Sequence, residues 1–267
     1  MNKIFTFWEP KEKLPGYVKL CMRTWEKYLS DSEVVVCDYE TTKEYLSEDE
    51  FAAVDFRQMP LAKQSDAIRC ALLKKHGGIW MDADTIITSA DGIAALQQGE
   101  CCMLNNGNTH KLFGAYIYAA HPGCEFLNAW HEQLLPRIAS YKLAWRFRMF
   151  RFLFHQAWKR MKNWDYCENA IIDPLAARYT PPKFVELNGI ERGVIPERAQ
   201  RRAGESAQQA YLRYWFERGA EYQDTTESCG LIFLHNSWTP AEFMRMSESE
   251  FLKQDIPLAK LLSKLLK

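Results

Sequence analysis

Residues 63–84, KQSDAIRCALLKKHGGIWMDAD, constrain this chain more than any other stretch. Apolar Ile68, Ala71 and Leu72 fall on one face at helical spacing, so a helix is predicted from about 62 to 76. Ser65 or Asp66 could cap or charge its first turn, and Lys74, Lys75 and His76 suit the negative C-terminal end. Gly77 and Gly78 then stop it. Ile79, Trp80 and Met81 read as a short buried strand that delivers two carboxylates, Asp82 and Asp84. Carboxylates at the carboxyl end of an apolar strand sit where open α/β sheets place their ligands.

The remaining chain continues the same alternation. Residues 3–8, KIFTFW, form a β-branched and aromatic opening strand, and a proline-containing loop follows it. Residues 17–28 carry Val18, Leu20, Cys21, Met22 and Trp25 at helical spacing. Residues 34–37 make a second short strand, and 41–54 read as a helix with Thr42 or Ser47 as possible caps. The order β-α-β-α followed by the 63–84 unit predicts an α/β fold with a mostly parallel sheet and covering helices. Trp8 ends the first strand, where it serves either as a core aromatic or as a stacking surface for a planar base.

Composition excludes several classes of function. The 267 residues hold 34 Lys and Arg against 34 Asp and Glu, so no global field attracts nucleic acid, and no nucleic-acid partner is expected. The eight cysteines form no CxxC and no regular framework, which fits reduced, buried thiols in a cytoplasmic protein. Residues 1–10 lack a basic start followed by a long apolar run, so no signal peptide is expected. No apolar stretch approaches the ~20 residues that span a bilayer.

Asp82 and Asp84 are two apart, which in an extended segment puts both side chains on one face. Two carboxylates aimed at one point repel unless a proton or cation lies between them. A hard divalent ion bridging protein and a diphosphate is one reading, and a surface turn is the other. Asp66 and Arg69 share a helix face, either as an ordinary exposed pair or as a polar recognition pair for a hydroxylated ligand.

The spacing of Ser65, Asp66, Arg69, Leu73, Gly77, Gly78, Ile79, Asp82 and Asp84 resembles the DXD-type sugar transferases. These are the capsular polysaccharide synthesis glycosyltransferases and their relatives among mannosyltransferases and glucosylating toxins. The opening strand with its terminal Trp8 and the late run Phe233, Leu234, His235, Asn236, Ser237 and Trp238 are similar to the family's outer motifs. The resemblance implies the GT-A nucleotide-diphosphosugar transferase fold, with a Mn²⁺ or Mg²⁺ cofactor and a nucleotide-sugar donor, most naturally a UDP-sugar. It makes Asp84 the stronger metal ligand and sets Asp82 between metal, ribose and sugar. Asp66 and Arg69 would hold sugar hydroxyls and Trp8 would lie near the base. His235 or Ser237 would sit near the metal, and the Trp238 indole N–H would reach a phosphate oxygen. Transfer with retention of anomeric configuration, to a glycan or lipid-linked glycan acceptor in bacterial surface polysaccharide synthesis, is the implied reaction. A protein-modifying effector enzyme and a non-catalytic nucleotide-sugar-binding protein are the alternatives.

Beyond the carboxylates, residues 101–120 suggest a hairpin around an Asn-Gly turn, where Asn105 or Asn106 either bonds an acceptor or merely builds the turn. Residues 141–164 carry Lys142, Arg146, Arg148, Arg151, Lys159, Arg160 and Lys162 with interleaved aromatics and no acidic residue. This helical insertion either meets a membrane surface, making the protein peripheral on the inner face, or packs its apolar side on the domain. Residues 197–219 read as a mobile loop leading into a helix, and 231–234 as a buried strand ending at His235. The domain is expected to span 1–240. A helical tail, 241–267, carries an apolar stripe of Leu258, Leu261, Leu262, Leu265 and Leu266.

Overall fold

A computed structural model describes residues 2–106, 111–147, 155–189, 194–223 and 230–267. Gly107, Arg148, Arg151 and Cys229 lie outside the described residues. The chain forms a mixed α/β fold around one six-stranded sheet. Its strands are β1 (Asn2–Phe7), β2 (Ser32–Cys37), β3 (Gly78–Met81), β5 (Cys101–Asn105), β6 (Leu112–Ala119) and β7 (Phe184–Asn188). Their order across the sheet is β2-β1-β3-β6-β5-β7. β6 runs antiparallel to both neighbours, and every other pairing is parallel. The mostly parallel sheet with covering helices predicted from the alternation is therefore the one observed. Two further strands, β4 (Thr85–Ile87) and β8 (Leu231–Phe233), pair antiparallel in a separate ribbon.

Strand alternation divides the core in two. On β1 and β3, Ile4, Ile79 and Met81 face one side, and Phe5, Phe7 and Trp80 face the other. The first side packs against the Gly16–Tyr28 helix, the β4–β8 ribbon and the C-terminal helices. The second packs against the Leu61–His76 and Glu125–Arg146 helices. Leu258, Leu261 and Leu262 of the apolar stripe are buried in the first core together with Ile4, so packing against the sheet accounts for them.

Local differences from the sequence reading have local causes. Residues 41–54 form two helices, Tyr39–Tyr45 and Glu48–Val54, because Ser47 starts the second with a full capping box and Asp38 caps the first. Ser65 and Asp66 do not start their helix. It begins at Leu61 behind Pro60, which puts both residues inside it. The seven described cysteines are buried and unpaired. No helix of the described residues is long and apolar enough to cross a membrane.

Gly77 and Gly78 both take positive φ, 66° and 92°. At Gly78 a Cβ would also lie 2.5 Å from the Lys3 carbonyl oxygen on β1, so the parallel β1–β3 pairing needs glycine there twice over. Gly78→Ala should lower the unfolding free energy by about 1–3 kcal/mol or more, read from urea denaturation. An unshifted midpoint would show that the close approach carries no strain.

Candidate active site

The site forms where β3 ends. Asp82 still donates its N–H to the Ala115 carbonyl of β6, at 2.9 Å, and Thr85 then donates its N–H to the Asp82 carbonyl at 3.0 Å. That bond closes a tight turn over residues 82–85. Asp82 and Asp84 are therefore neighbours through a turn at the strand end, and the one-face argument from strand alternation does not apply to them.

Arg69 organises the first half of the site. From the middle of its helix, its buried guanidinium reaches Asp66 Oδ1 at 3.3 Å, Asp82 Oδ1 at 3.2 Å and Glu168 Oε1 at 2.5 Å. Its flat face lies 5.1 Å from the Trp80 ring, a cation–π contact. The Trp80 indole N–H also donates to Asp82 Oδ1, at 2.9 Å. The i, i+3 pair of Asp66 and Arg69 is thus buried, and the reading of it as an ordinary exposed pair does not hold.

Glu168 is the member that sequence reasoning missed. It lies between the short Trp164–Cys167 turn and the Asn169–Ala176 helix, 99 positions from Arg69, with no local pattern to mark it. One signal was present, a glycine within a strand. A Cβ on Gly114 of β6 would sit 1.4 Å from Glu168 Oε1 and 2.1 Å from Arg69 Nη1. The Arg69–Glu168 pair crosses the strand in the space that Gly114 leaves.

Asp84 anchors the second half. Its Oδ2 accepts the Asn236 backbone N–H at 2.8 Å, and its carbonyl accepts from Leu234 at 3.2 Å. The β4–β8 ribbon makes this possible, because Thr85 pairs with Phe233 and so sets the 3₁₀ turn Asn236–Trp238 beside Asp84. Tyr17, from the Gly16–Tyr28 helix, donates its hydroxyl to Asn236 Oδ1 at 2.7 Å. The His235 ring lies against Trp238, with centroids 4.1 Å apart, and its Nε2 is 3.3 Å from Glu197 Oε1. Glu197 is 1% exposed and also accepts from the Trp215 indole at 3.2 Å. It falls at the start of the segment read as a loop leading into a helix, where the chain forms the short Pro196–Ala199 helix before the expected helix, Ala207–Phe216.

The structure thus gathers Asp66, Arg69 and Asp82 in one cluster and sets Asp84, Asn236, His235 and Trp238 beside the turn. Ser237 is exposed on that turn. Trp8 is half-buried at the end of β1, bonded through its N–H to the Cys37 carbonyl at 2.8 Å and packed on the first core. Asn105 donates its side-chain amide to Glu186 on β7, so its hydrogen bond goes to the neighbouring strand.

Electrostatics set the character of the site. Burial works against the Arg69 charge, but Glu168, Asp82 and Asp66 outweigh it and hold the guanidinium charged. Burial pushes the Asp66 and Glu168 carboxyls upward, and Arg69 only partly offsets this. Asp84 is pushed from 3.8 up to about 7 by burial and by the Asp82 charge, against the lowering effect of the Asn236 N–H. Among the described residues, the Arg69 guanidinium pairs with Asp66, Asp82 and Glu168, while Asp84 is supported by the Asn236 backbone N–H.

A carboxyl whose folded pKa lies above its unfolded value binds its proton more tightly when folded. The folded state is then favoured at low pH and loses that advantage as pH rises from about 4 through about 7. Asp84→Asn should remove this loss. The stability of the variant relative to the parent should rise across that interval and level off above it, measured by urea melts at several pH values. A difference independent of pH would contradict the raised pKa.

The family model for capsular polysaccharide synthesis protein matches residues 1–176. The structure is similar to two solved glycosyltransferases. One, the PaToxG glycosyltransferase, has 14% identity and a TM-score of 0.42, with 68% of this chain and 69% of that chain covered. The other is a glycosyltransferase involved in glycosylation of the major capsid of PBCV-1, at 10% identity and TM-score 0.45, with 98% of each chain covered. Likenesses of that size carry nothing about chemistry. No curated protein matches the sequence. With 176 of its 267 residues matched, the chain belongs to the capsular polysaccharide synthesis protein family.

Proposed function

We propose that the chain is a glycosyltransferase that moves a sugar from a nucleotide sugar, a UDP-sugar by its motifs, to a glycan or lipid-linked glycan hydroxyl in bacterial surface polysaccharide synthesis. The observation that carries this reading is the turn at the end of β3, which sets the Asp82 carboxylate, paired with buried Arg69, near enough to Asp84 to raise it. Oxygen donors with an excess of negative charge fit a hard divalent cation, Mn²⁺ or Mg²⁺. Asp84 and Asp82 would hold it. Among the described residues no group of three or more His, Cys, Asp or Glu converges as a ready-made cage, so diphosphate and water oxygens would complete the shell. When bound, such an ion supplies neutralising charge for the departing diphosphate.

The chain's own groups have separate tasks in this reading. Asp66 and Asp82 keep carboxylate oxygens to accept from sugar hydroxyls, and Arg69 fixes where those oxygens point. Asp82 is the more open of the two, with 37% of its side chain exposed. Trp238 would donate its indole N–H to a phosphate oxygen, with Ser237 beside it, and Trp8 would stack on the base. His235 has Nε2 turned towards Glu197, so any metal contact by this side chain runs through Nδ1. No residue of the cluster has to act as a covalent nucleophile, which agrees with retention by a route without a glycosyl-enzyme bond.

Incubation with a panel of UDP-sugars and Mn²⁺, following release of UDP and thermal stabilisation, tests the reading. One donor should stabilise the protein and be slowly hydrolysed. Asp84→Ala should cut turnover by roughly 100- to 1,000-fold and abolish the metal-dependent shift. Excess chelator should do the same. Full activity with chelator present would remove the metal from the proposal, and donor binding without turnover would leave a nucleotide-sugar-binding protein.

A further inference from the structure

Among the described residues four large hydrophobic side chains are exposed: Leu61 at 48%, Leu143 at 59%, Phe147 at 47% and Trp164 at 67%. They come from three elements, the Leu61–His76 helix, the end of the Glu125–Arg146 helix and the Trp164–Cys167 turn, that meet at one junction. Its centre is Lys63, a buried cation that donates to the Met161 carbonyl and lies 5.5 Å from the Tyr141 ring centroid and 5.7 Å from that of Tyr166. Each exposed side chain is on, or directly follows, an element that carries one of those anchors. Leu61 is in the first turn of the helix that carries Lys63, and Leu143 follows Tyr141 by two positions. Trp164 stands two positions before Tyr166 on the same 3₁₀ turn. Leu143 and Phe147 are i, i+4 at the end of the Glu125–Arg146 helix, with Phe147 N–H bonded to the Leu143 carbonyl at 3.1 Å, so they share a face.

The exposed charge around this junction is mainly basic, and the nearby acid Asp165, next to Trp164, lies 3.6 Å from Lys111. Arg146, Lys159 and Arg160 are exposed beside the junction, and residues 141–164 contain no Asp or Glu. The chain as a whole has 34 basic and 34 acidic residues, so this is a local segregation of charge. Exposed Trp, Phe and Leu rimmed by Arg and Lys are the chemistry of an anionic lipid interface. A second copy of the chain would bring like charge against like.

The junction also adjoins the candidate active site. The Trp164–Cys167 turn leads directly into Glu168, which holds Arg69. Along the Leu61–His76 helix, Leu61 and Arg69 are eight positions apart, roughly 12 Å at 1.5 Å per residue. We infer that this surface docks the chain on an anionic membrane, with Leu143, Phe147 and Trp164 entering the interface and Arg146, Lys159 and Arg160 facing lipid phosphates. Docked this way, the active site stands about a headgroup's reach from the bilayer, where a lipid-linked acceptor would present its sugar. What the surface delivers rests on the transferase reading, but the docking itself does not.

Sedimentation of the full chain with vesicles tests it, with no donor present. The protein should pellet with vesicles of phosphatidylcholine and phosphatidylglycerol and far less with phosphatidylcholine alone, and salt should weaken the binding. The variant carrying Arg146→Gln, Lys159→Gln and Arg160→Gln should partition roughly 100-fold more weakly. The variant carrying Leu143→Ser, Phe147→Ser and Trp164→Ser should lose binding by on the order of tenfold or more, with its melting temperature and its hydrolysis of free nucleotide sugar unchanged. No binding to anionic vesicles, or equal binding by the charge variant and the parent, would overturn the inference. So would a dimer in solution that the serine variant dissolves, since the patch would then be covered by a second copy. Lost hydrolysis in a vesicle-binding parent would overturn the transferase reading alone.

Discussion

The guanidinium of Arg69 is the interaction on which the site depends. An exposed ion pair contributes little, about 0–1 kcal/mol, because water competes for both partners. Arg69 is 6% exposed and faces three carboxylates, so removing it would strand buried charge at a cost of about 3–5 kcal/mol. The helix supplies Asp66, the end of β3 supplies Asp82, and the chain beyond the long helix supplies Glu168. One planar group therefore ties together three elements that also share the second hydrophobic core. Three carboxyls thus share one buried guanidinium, and burial pushes two of them, Asp66 and Glu168, upward.

A second tie works through backbone. The β4–β8 ribbon is three residues long on each side, yet it brings Asn236 to Asp84 across 152 positions. Its strands are fully buried, and the Trp25 indole N–H pins it by donating to the Thr85 carbonyl at 2.7 Å. The aromatic packing of Tyr211, His235 and Trp238 then fixes the turn that follows β8.

Much of this was legible in the sequence, for a physical reason. Helix, glycine break and strand lie within one short segment, so local periodicity set Asp66 and Arg69 on one helix face and Asp82 and Asp84 at a strand end, but it showed neither the burial of the first pair nor the turn that carries the second. The late motif was legible as the end of an apolar strand. Glu168 and Glu197 were not. Each acts through a partner distant in sequence, Arg69 or His235, and each sits where local composition suggests only a linker. The split of residues 41–54 into two helices was missed because the capping box at Ser47 lies inside an otherwise continuous helical pattern. Gly114 shows how long-range packing leaves a local trace, since its missing side chain is explained only by the ion pair that crosses it.

The bond from Asn236 to Asp84 comes from the main chain. Every amino acid except proline carries that N–H. Evolution is therefore free to rewrite the letter at position 236 while the support of Asp84 persists, at the cost only of the Tyr17 hydroxyl's partner. A motif can then vary among relatives at the very residue that touches the central carboxylate. Comparing letters would rank that position as unimportant, while the geometry it supplies stays fixed.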